Sequence, residues 1–306
     1  MHWHKLGLIF KPDINLTWMR SHAQLPVPVP LGGSRYRVFF ASRNELQRSH
    51  VGAFDIDLDH PDRILSMTRD PLLKPGPTGY FDGDGVYVAS IVPNAQQWYF
   101  YTIGWNVGGR SPLFYTSIGL AHSSNQGLTV EKEGVSPIMQ RSEHDPCLVT
   151  APMVLRDRNR WMMWYVSGFD WEDKPSGLQS KYHIKYAYSM DGKNWHRDGH
   201  VCLTTAEPDE TNISRFWVLP SRGGYHAWYG FNRGPGYRIG YARSVDGLHW
   251  TRYDDQAGIG LSDSGWDSQA IAYPAVVHHQ GHWYMFYNGN GYGKDGIGLA
   301  VTRAGE

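Results

Sequence analysis

Ile239-Gly-Tyr-Ala-Arg-Ser-Val-Asp-Gly-Leu-His-Trp250 decides the fold, because its first half recurs through the chain. The copies are Val51-Gly-Ala-Phe-Asp-Ile56, Ile118-Gly-Leu-Ala-His-Ser123, Ile184-Lys-Tyr-Ala-Tyr-Ser189, Ile239-Gly-Tyr-Ala-Arg-Ser244 and Ile297-Gly-Leu-Ala-Val-Thr302. Successive copies start 67, 66, 55 and 58 residues apart. An aromatic strand precedes each: Tyr36–Phe40, Trp98–Tyr101, Trp161–Tyr165, Tyr225–Tyr229 and Trp283–Tyr287. A more apolar strand precedes each of those: Leu25–Val29, Val88–Val92, Ala151–Leu155, Phe216–Leu219 and Tyr273–Val277. A fourth strand follows in units one to four, for example Trp195-His-Arg197 and Trp250-Thr-Arg252. Asp191-Gly192 and Asp246-Gly247 supply tight turns before two of these, since both central residues tolerate positive φ.

Five repeated units of short strands predict an all-β chain: a single five-bladed β-propeller over residues 1–306, with blades of four antiparallel strands. The expected blades span about 20–70, 80–135, 145–203, 210–255 and 265–303, by the repeat spacing. The fifth unit stops near Thr302, short of its fourth strand. Leu6-Gly-Leu-Ile-Phe10 belongs to no unit and is expected to pair at that edge, closing the ring. Two packed β-sandwiches are the competing architecture, and even spacing argues against them.

Composition agrees. The chain has 13 Trp, 19 Tyr, 11 Phe and 35 Gly, which favour strands and tight turns. Lys+Arg and Asp+Glu are 29 each, which argues against nucleic acid or an anionic membrane as partner. No apolar run is long enough to span a bilayer, and Met1–Phe10 does not read as a signal peptide. Cys147 and Cys202 read as buried free thiols, so the cytoplasm is the expected compartment. No His spacing suggests a metal centre, no phosphate loop is present, and no cofactor is expected. The sequence is silent on oligomeric state.

In a propeller the first strand of each blade lines the central channel, and loops entering those strands converge at one mouth. Four of the five entries carry carboxylates: Asp82 and Asp84, Glu143 and Asp145, Asp209 and Glu210, and Asp267. Singly, each has a bland explanation as a turn cap. Their recurrence at one position marks a candidate site, because converging carboxylates raise one another's pKa. Unit one has Arg20 and His22 instead. Arg20, His22, Glu143, His144, Arg215 and Asp267 are candidate ligand contacts; salt bridging within the channel is the competing role for the cations. Trp105, Trp171, Trp266 and Tyr80 are candidate stacking platforms, against a background in which most aromatics pack between blades.

On these motifs the chain resembles the five-bladed propeller glycosidase superfamily, including the arabinanase/xylosidase, invertase/levanase and mannoside-phosphorylase families. His144-Asp145-Pro146 is similar to the Arg-Asp-Pro segment that supplies their middle Asp. Asp82 or Asp84 falls where the first Asp belongs, and Glu210 where the acid belongs. The series starts one unit later than in those families. Ser189–Trp195 and Ser244–Trp250 resemble sialidase Asp-box hairpins and are read as rim turns.

The resemblance implies a carbohydrate ligand and glycoside hydrolysis. Glu210 would be the general acid, Asp82 or Asp84 the base or nucleophile, and Asp145 the orienting group. Phosphorolysis is one alternative, with a phosphate pocket drawn from Arg20, His22, Arg141, His144 and Arg215. A glycosyltransferase-like role in polysaccharide metabolism is another. A non-catalytic sugar-binding propeller is the third.

Overall fold

The computed structural model describes every residue except 95, 158, 159, 176, 235, 305 and 306. Strand β1 (His4–Phe10) comes first. Unit one contains β2 (Ser21–Gly32), β3 (Arg35–Arg43), β4 (Ser49–Asp57) and β5 (Ile64–Met67). Unit two contains β6 (Gly85–Val92), β7 (Trp98–Val107), β8 (Phe114–Ser123) and β9 (Glu131–Lys132). Unit three contains β10 (Leu148–Asp157), β11 (Arg160–Lys174), β12 (Gly177–Ser189) and β13 (Val201–Leu203). Unit four contains β14 (Glu210–Ser221), β15 (Gly224–Arg233), β16 (Gly236–Ser244) and β17 (Thr251–Arg252). Unit five contains β18 (Ala272–His279), β19 (His282–Asn288) and β20 (Ile297–Arg303).

Within each unit, consecutive strands pair antiparallel. Single parallel contacts, Ser49 with Gly85 and Tyr182 with Asn212, join units one to two and three to four. β1 adds to β20 as the outer strand of unit five, from the opposite end of the chain. This all-β arrangement of meandering sheets is consistent with a β-propeller. Among the described residues, helix is confined to a 3₁₀ turn at Asp254–Gln256 and one helical turn at Asn290–Gly293. No helix among the described residues is long and apolar enough to cross a membrane.

Two positions of the repeat explain the packing. The first is Phe39, Tyr101, Trp164 and Trp228 on the second strands, all buried. The Tyr101 hydroxyl donates to Gly192 O at 2.9 Å, and Trp164 Nε1 donates to Gly247 O at 2.7 Å. Each therefore reaches the turn of the following unit. Those turns are held by Ser189–Asp191 and Ser244–Asp246, whose side chains accept the amides of Gly192, Lys193 and Asn194, and of Gly247, Leu248 and His249. The Asp-box hairpins are thus latches between units. Trp228 instead meets Trp283 at 5.0 Å and Trp3 at 6.1 Å.

The second position is the glycine of the repeat. A Cβ at Gly52 would lie 2.3 Å from Trp18, and one at Gly298 would lie 2.1 Å from Trp266. Glycine lets an entry-loop aromatic lie flat across the third strand. Ring closure has its own anchors: Phe10 stacks on Phe54 at 4.3 Å, and Trp3 Nε1 donates to Ala257 O at 3.0 Å.

Candidate ligand-binding site

All five first strands carry an extra residue at the same place. The register slips between Gln24 and Val27, Val88 and Ser90, Thr150 and Met153, Ser214 and Trp217, and Ala272 and Ala275. In four of these bulges a non-glycine residue takes the left-handed conformation: Leu25 (φ 51°), Ala151 (φ 45°), Arg215 (φ 44°) and Tyr273 (φ 54°). Such conformations cost roughly 1–3 kcal/mol each and cluster at binding sites, and bulges re-aim side chains.

These four bulge residues line one cavity of about 530 Å³. Every unit contributes to its wall. Gln24 and Arg43 come from unit one, Tyr87 and Trp105 from unit two, Trp171 and Tyr182 from unit three. Asn212, Asn232 and Tyr237 come from unit four, and Tyr292 from the β19–β20 connection of unit five. The long β7–β8 and β11–β12 hairpins build one side, where Phe114 meets Trp171 edge-on at 5.3 Å. On the opposite side Tyr292 stands against Tyr237 at 5.9 Å and Tyr273 at 6.3 Å. Its backbone is pinned, because Gln24 Nε2 donates to Tyr292 O at 2.7 Å. Asn288 ties the same connection to unit one, accepting from Leu25 N and donating to Ala23 O and Gly296 O. Burial raises Tyr182, Tyr237 and Tyr273 well above the usual phenol range, so they are neutral donors and acceptors.

The cavity wall holds no Asp, Glu or Lys among the described residues. The entry-loop carboxylates lie elsewhere, and four of them are fastened to cations of their own units. Asp82 pairs with Lys132 on β9 at 2.5 Å. Asp145, fully buried, meets Arg197 at 2.7 Å and Lys185 at 3.5 Å, and accepts from the Tyr165 hydroxyl. Glu210 takes both Arg252 terminal nitrogens, at 2.7 and 2.8 Å, while Asp254 shares Arg252 at 2.6 Å. Asp267 pairs with Lys5 on β1 at 2.7 Å and accepts from the Tyr287 hydroxyl. Burial alone would raise Glu210, but its bonds to Arg252 and to the Ala206 amide hold it below the usual carboxylate value. Asp267 is likewise held low against burial by Lys5, Ser262 and Tyr287.

The geometry therefore divides the residues singled out from sequence. Trp105, Trp171 and Arg215 reach the cavity. Asp82, Asp145, Glu210 and Asp267 close ion pairs inside separate units. Asp84 accepts from Val107 N at 3.0 Å, bracing the β7 end. Glu143 is exposed beside His144 at 3.7 Å, and His144 O accepts from Lys185. Arg20 pairs with Glu45 at 3.1 Å. Trp266 packs on Gly289, Gly298 and Tyr287, and Tyr80 O accepts from Asn106 Nδ2. His22 is half-buried, bonded to Ser21 Oγ at 2.8 Å, and pushed down to about 4 by burial and then Arg43. Of the residues named for a phosphate pocket, Arg141 stacks on Tyr115 at 4.8 Å. No group of three His, Cys, Asp or Glu among the described residues could hold a metal ion. Burial raises the Cys202 thiol to about 12 and also raises Cys147, so neither is an activated nucleophile.

Most of the wall was absent from the sequence reading, yet repeat arithmetic contains it. Thr116, Tyr182 and Tyr237 each stand two residues before a repeat copy. Arg43, Trp105 and Asn232 each stand three or four residues after the last position of the aromatic strand motif. Leu25-Pro26, Ala151-Pro152 and Tyr273-Pro274 signal the bulges, because Pro cannot donate within an inner strand.

Comparison with known proteins places the chain. It is 38% identical over 301 residues to "Uncharacterized protein Rv1502" of Mycobacterium tuberculosis strain H37Rv, covering 98% of this chain and 99% of that one. The chain belongs to the Rv1502 family. The corresponding protein MT1551 of strain CDC 1551 matches equally, at 38% over 301 residues. No family model matches the chain. Among solved structures, a BT0996 complex with RGII aligns with TM-score 0.76 at 16% identity, covering 98% of this chain and 92% of that one. A glycosyl hydrolase from Bacteroides ovatus aligns with TM-score 0.70 at 13% identity, covering 96% and 91%. A structure described under "the GH130 family of mannoside phosphorylases" as a group containing glycoside hydrolases aligns with TM-score 0.66 at 13% identity, covering 96% and 91%. This chain thus shares its fold with these glycoside hydrolase structures.

Proposed function

We propose that the chain is a single five-bladed propeller over residues 1–306 and a carbohydrate-binding protein whose ligand occupies the channel cavity. The observation that carries this is the composition of the wall: five tyrosines, two tryptophans and four side-chain amides drawn from all five units, with no carboxylate among the described residues. Aromatic faces and neutral hydrogen-bonding groups in a concave pocket of roughly 300–1,000 Å³ suit a sugar of one to a few rings.

Hydrolysis through Asp82 or Asp84, Asp145 and Glu210 is the reading this geometry supports less. Glycosidases place two carboxyl groups about 5–9.5 Å apart across one bond, and the acid must stay protonated. Here the acids sit in separate ion pairs, and Arg252 keeps Glu210 ionised. Transfer involving phosphate is a second reading, favoured by two arginines in a wall without carboxylates among the described residues. The test is a glycan-binding screen by calorimetry, run beside turnover assays on aryl glycosides with and without phosphate, for the wild type and Glu210→Gln. The proposal expects binding without hydrolysis, and equal ligand affinity in the variant. Hydrolysis abolished by Glu210→Gln would reinstate the carboxylate mechanism, and phosphate-dependent turnover would establish transfer.

A further inference from the structure

We propose that Arg215 and Arg43 form an anion subsite in the channel cavity, so that the carbohydrate bound there carries a carboxylate or phosphate group. This deepens the reading above and rests on it.

Arg215 is only 2% exposed and projects from a bulge in β14. Its Nη2 donates to Pro26 O of unit one at 2.9 Å, and its guanidinium lies over Trp217 at 4.9 Å. Its Nε and Nη1 are buried without a partner among the described residues. Among the described residues no carboxylate lies within 4.0 Å of it. Burial pushes the guanidinium down to about 9, still above neutrality, so the charge persists at physiological pH.

The rest of the molecule shows how unusual this is. Arg37, Lys132, Lys185, Arg197, Arg252 and Lys5 are buried or half-buried, and each faces a carboxylate. A buried charge left uncompensated is strongly unfavourable, and free donors on it are more so. The missing counter-charge is supplied by a ligand. Arg43 lines the same cavity, bonds Gln24 Oε1 through Nε at 3.1 Å, and also has no carboxylate in salt-bridge range among the described residues. Arg215 Nη2 and Arg43 Nε bond residues two apart on β2, Pro26 O and Gln24 Oε1, which brings both guanidinium groups to one stretch of that strand. Thr116 Oγ1 and Gln179 Oε1, also on the wall, are buried without partners among the described residues and can complete the polar contacts of the sugar. A chain of zero net charge thus carries, among the described residues, only cationic formal charges on its cavity wall.

The experiment is calorimetric titration of the full chain with D-glucuronate, glucose 6-phosphate, glucose and inorganic phosphate. One charge-assisted contact is worth ~10-fold or more in affinity. At least one anionic sugar is therefore expected to bind ~10-fold tighter than glucose, and the preference should fall to about twofold in Arg43→Gln and in Arg215→Met. Arg43 is only part-buried, so Arg43→Gln keeps the test valid if Arg215→Met does not fold. Preference for glucuronate identifies a carboxylate ligand, and preference for glucose 6-phosphate identifies a phosphate. Equal binding of glucose and the anionic sugars overturns the subsite while leaving the carbohydrate reading intact. Binding of inorganic phosphate with no sugar binding supports the subsite and overturns the carbohydrate reading. Silence from all four probes counts against both.

Discussion

The entry loops and the channel cavity are built from the same repeat, and they use charge in opposite ways. In the entry loops of units two to five, acids at one repeat position meet cations on the outer part of the same unit. Asp82–Lys132, Asp145–Arg197, Glu210–Arg252 and Asp267–Lys5 are four versions of one fastener. In the cavity, equivalent positions carry different residues: Arg43, Trp105 and Asn232 in one set, Leu25, Ala151, Arg215 and Tyr273 in another. A position that keeps its chemistry around the ring serves the ring. A position that faces the axis and changes from unit to unit shapes one asymmetric site.

The largest effect that would test this contrast is loss of a fastener. Asp145→Ala strands Arg197 and Lys185 in a buried setting and should cost about 3–5 kcal/mol, measured by denaturant unfolding. Ligand affinity of the folded fraction should stay unchanged. A parallel loss of affinity would move Asp145 back toward the site. Next, Gly298→Ala forces a Cβ onto Trp266, and overpacking of that kind costs about 1–3 kcal/mol by the same measurement. A neutral outcome would mean that Trp266 is free to move and does not hold the entry loop.

The cavity should behave in reverse. Trp171→Ala removes a partly exposed wall residue and should weaken ligand binding about 10-fold, as expected for one aromatic face, with stability changed by less than about 1 kcal/mol. Intrinsic fluorescence titration reads the first quantity and thermal melting the second. The smallest effect concerns pH. His22 and His183 are held at about 4 in the folded chain, against 6.5 when free, chiefly by burial. Each folded value is depressed, so the stabilisation is complete above about pH 6.5 and is lost as pH falls toward 4. His183→Asn should flatten that part of the stability–pH curve, and an unchanged slope would show that the ring at position 183 does not titrate there.

The repeat was fully legible in sequence because it rests on local pattern: aromatic strand, glycine, third strand, Asp-Gly turn. The pairing of β1 with β20 was legible too, since an orphan strand and a short last unit complement each other. The acids were found at a recurrent position, and recurrence was read as convergence. The cations they meet in the fold lie far off in sequence: Lys132 lies 50 residues from Asp82, Arg252 lies 42 from Glu210, and Lys5 lies 262 from Asp267. A sequence shows that charges exist, not which one each will meet. Arg215 shows the converse, since nothing local distinguishes it from a salt-bridging arginine. It stands out because no carboxylate among the described residues is in reach and because of a left-handed bulge that Ser214-Arg215-Phe216, lacking the proline of its counterparts, does not announce.

The most direct measurement compares Glu210→Gln with Arg43→Gln in one pair of assays, melting temperature and calorimetric affinity for the anionic sugar that the wild type binds. Glu210→Gln should lower the melting temperature and leave affinity unchanged, while Arg43→Gln should weaken affinity about 10-fold and leave the melting temperature within a degree or two. The opposite pattern, with affinity lost in Glu210→Gln and kept in Arg43→Gln, would place the working site at the carboxylates and contradict the account.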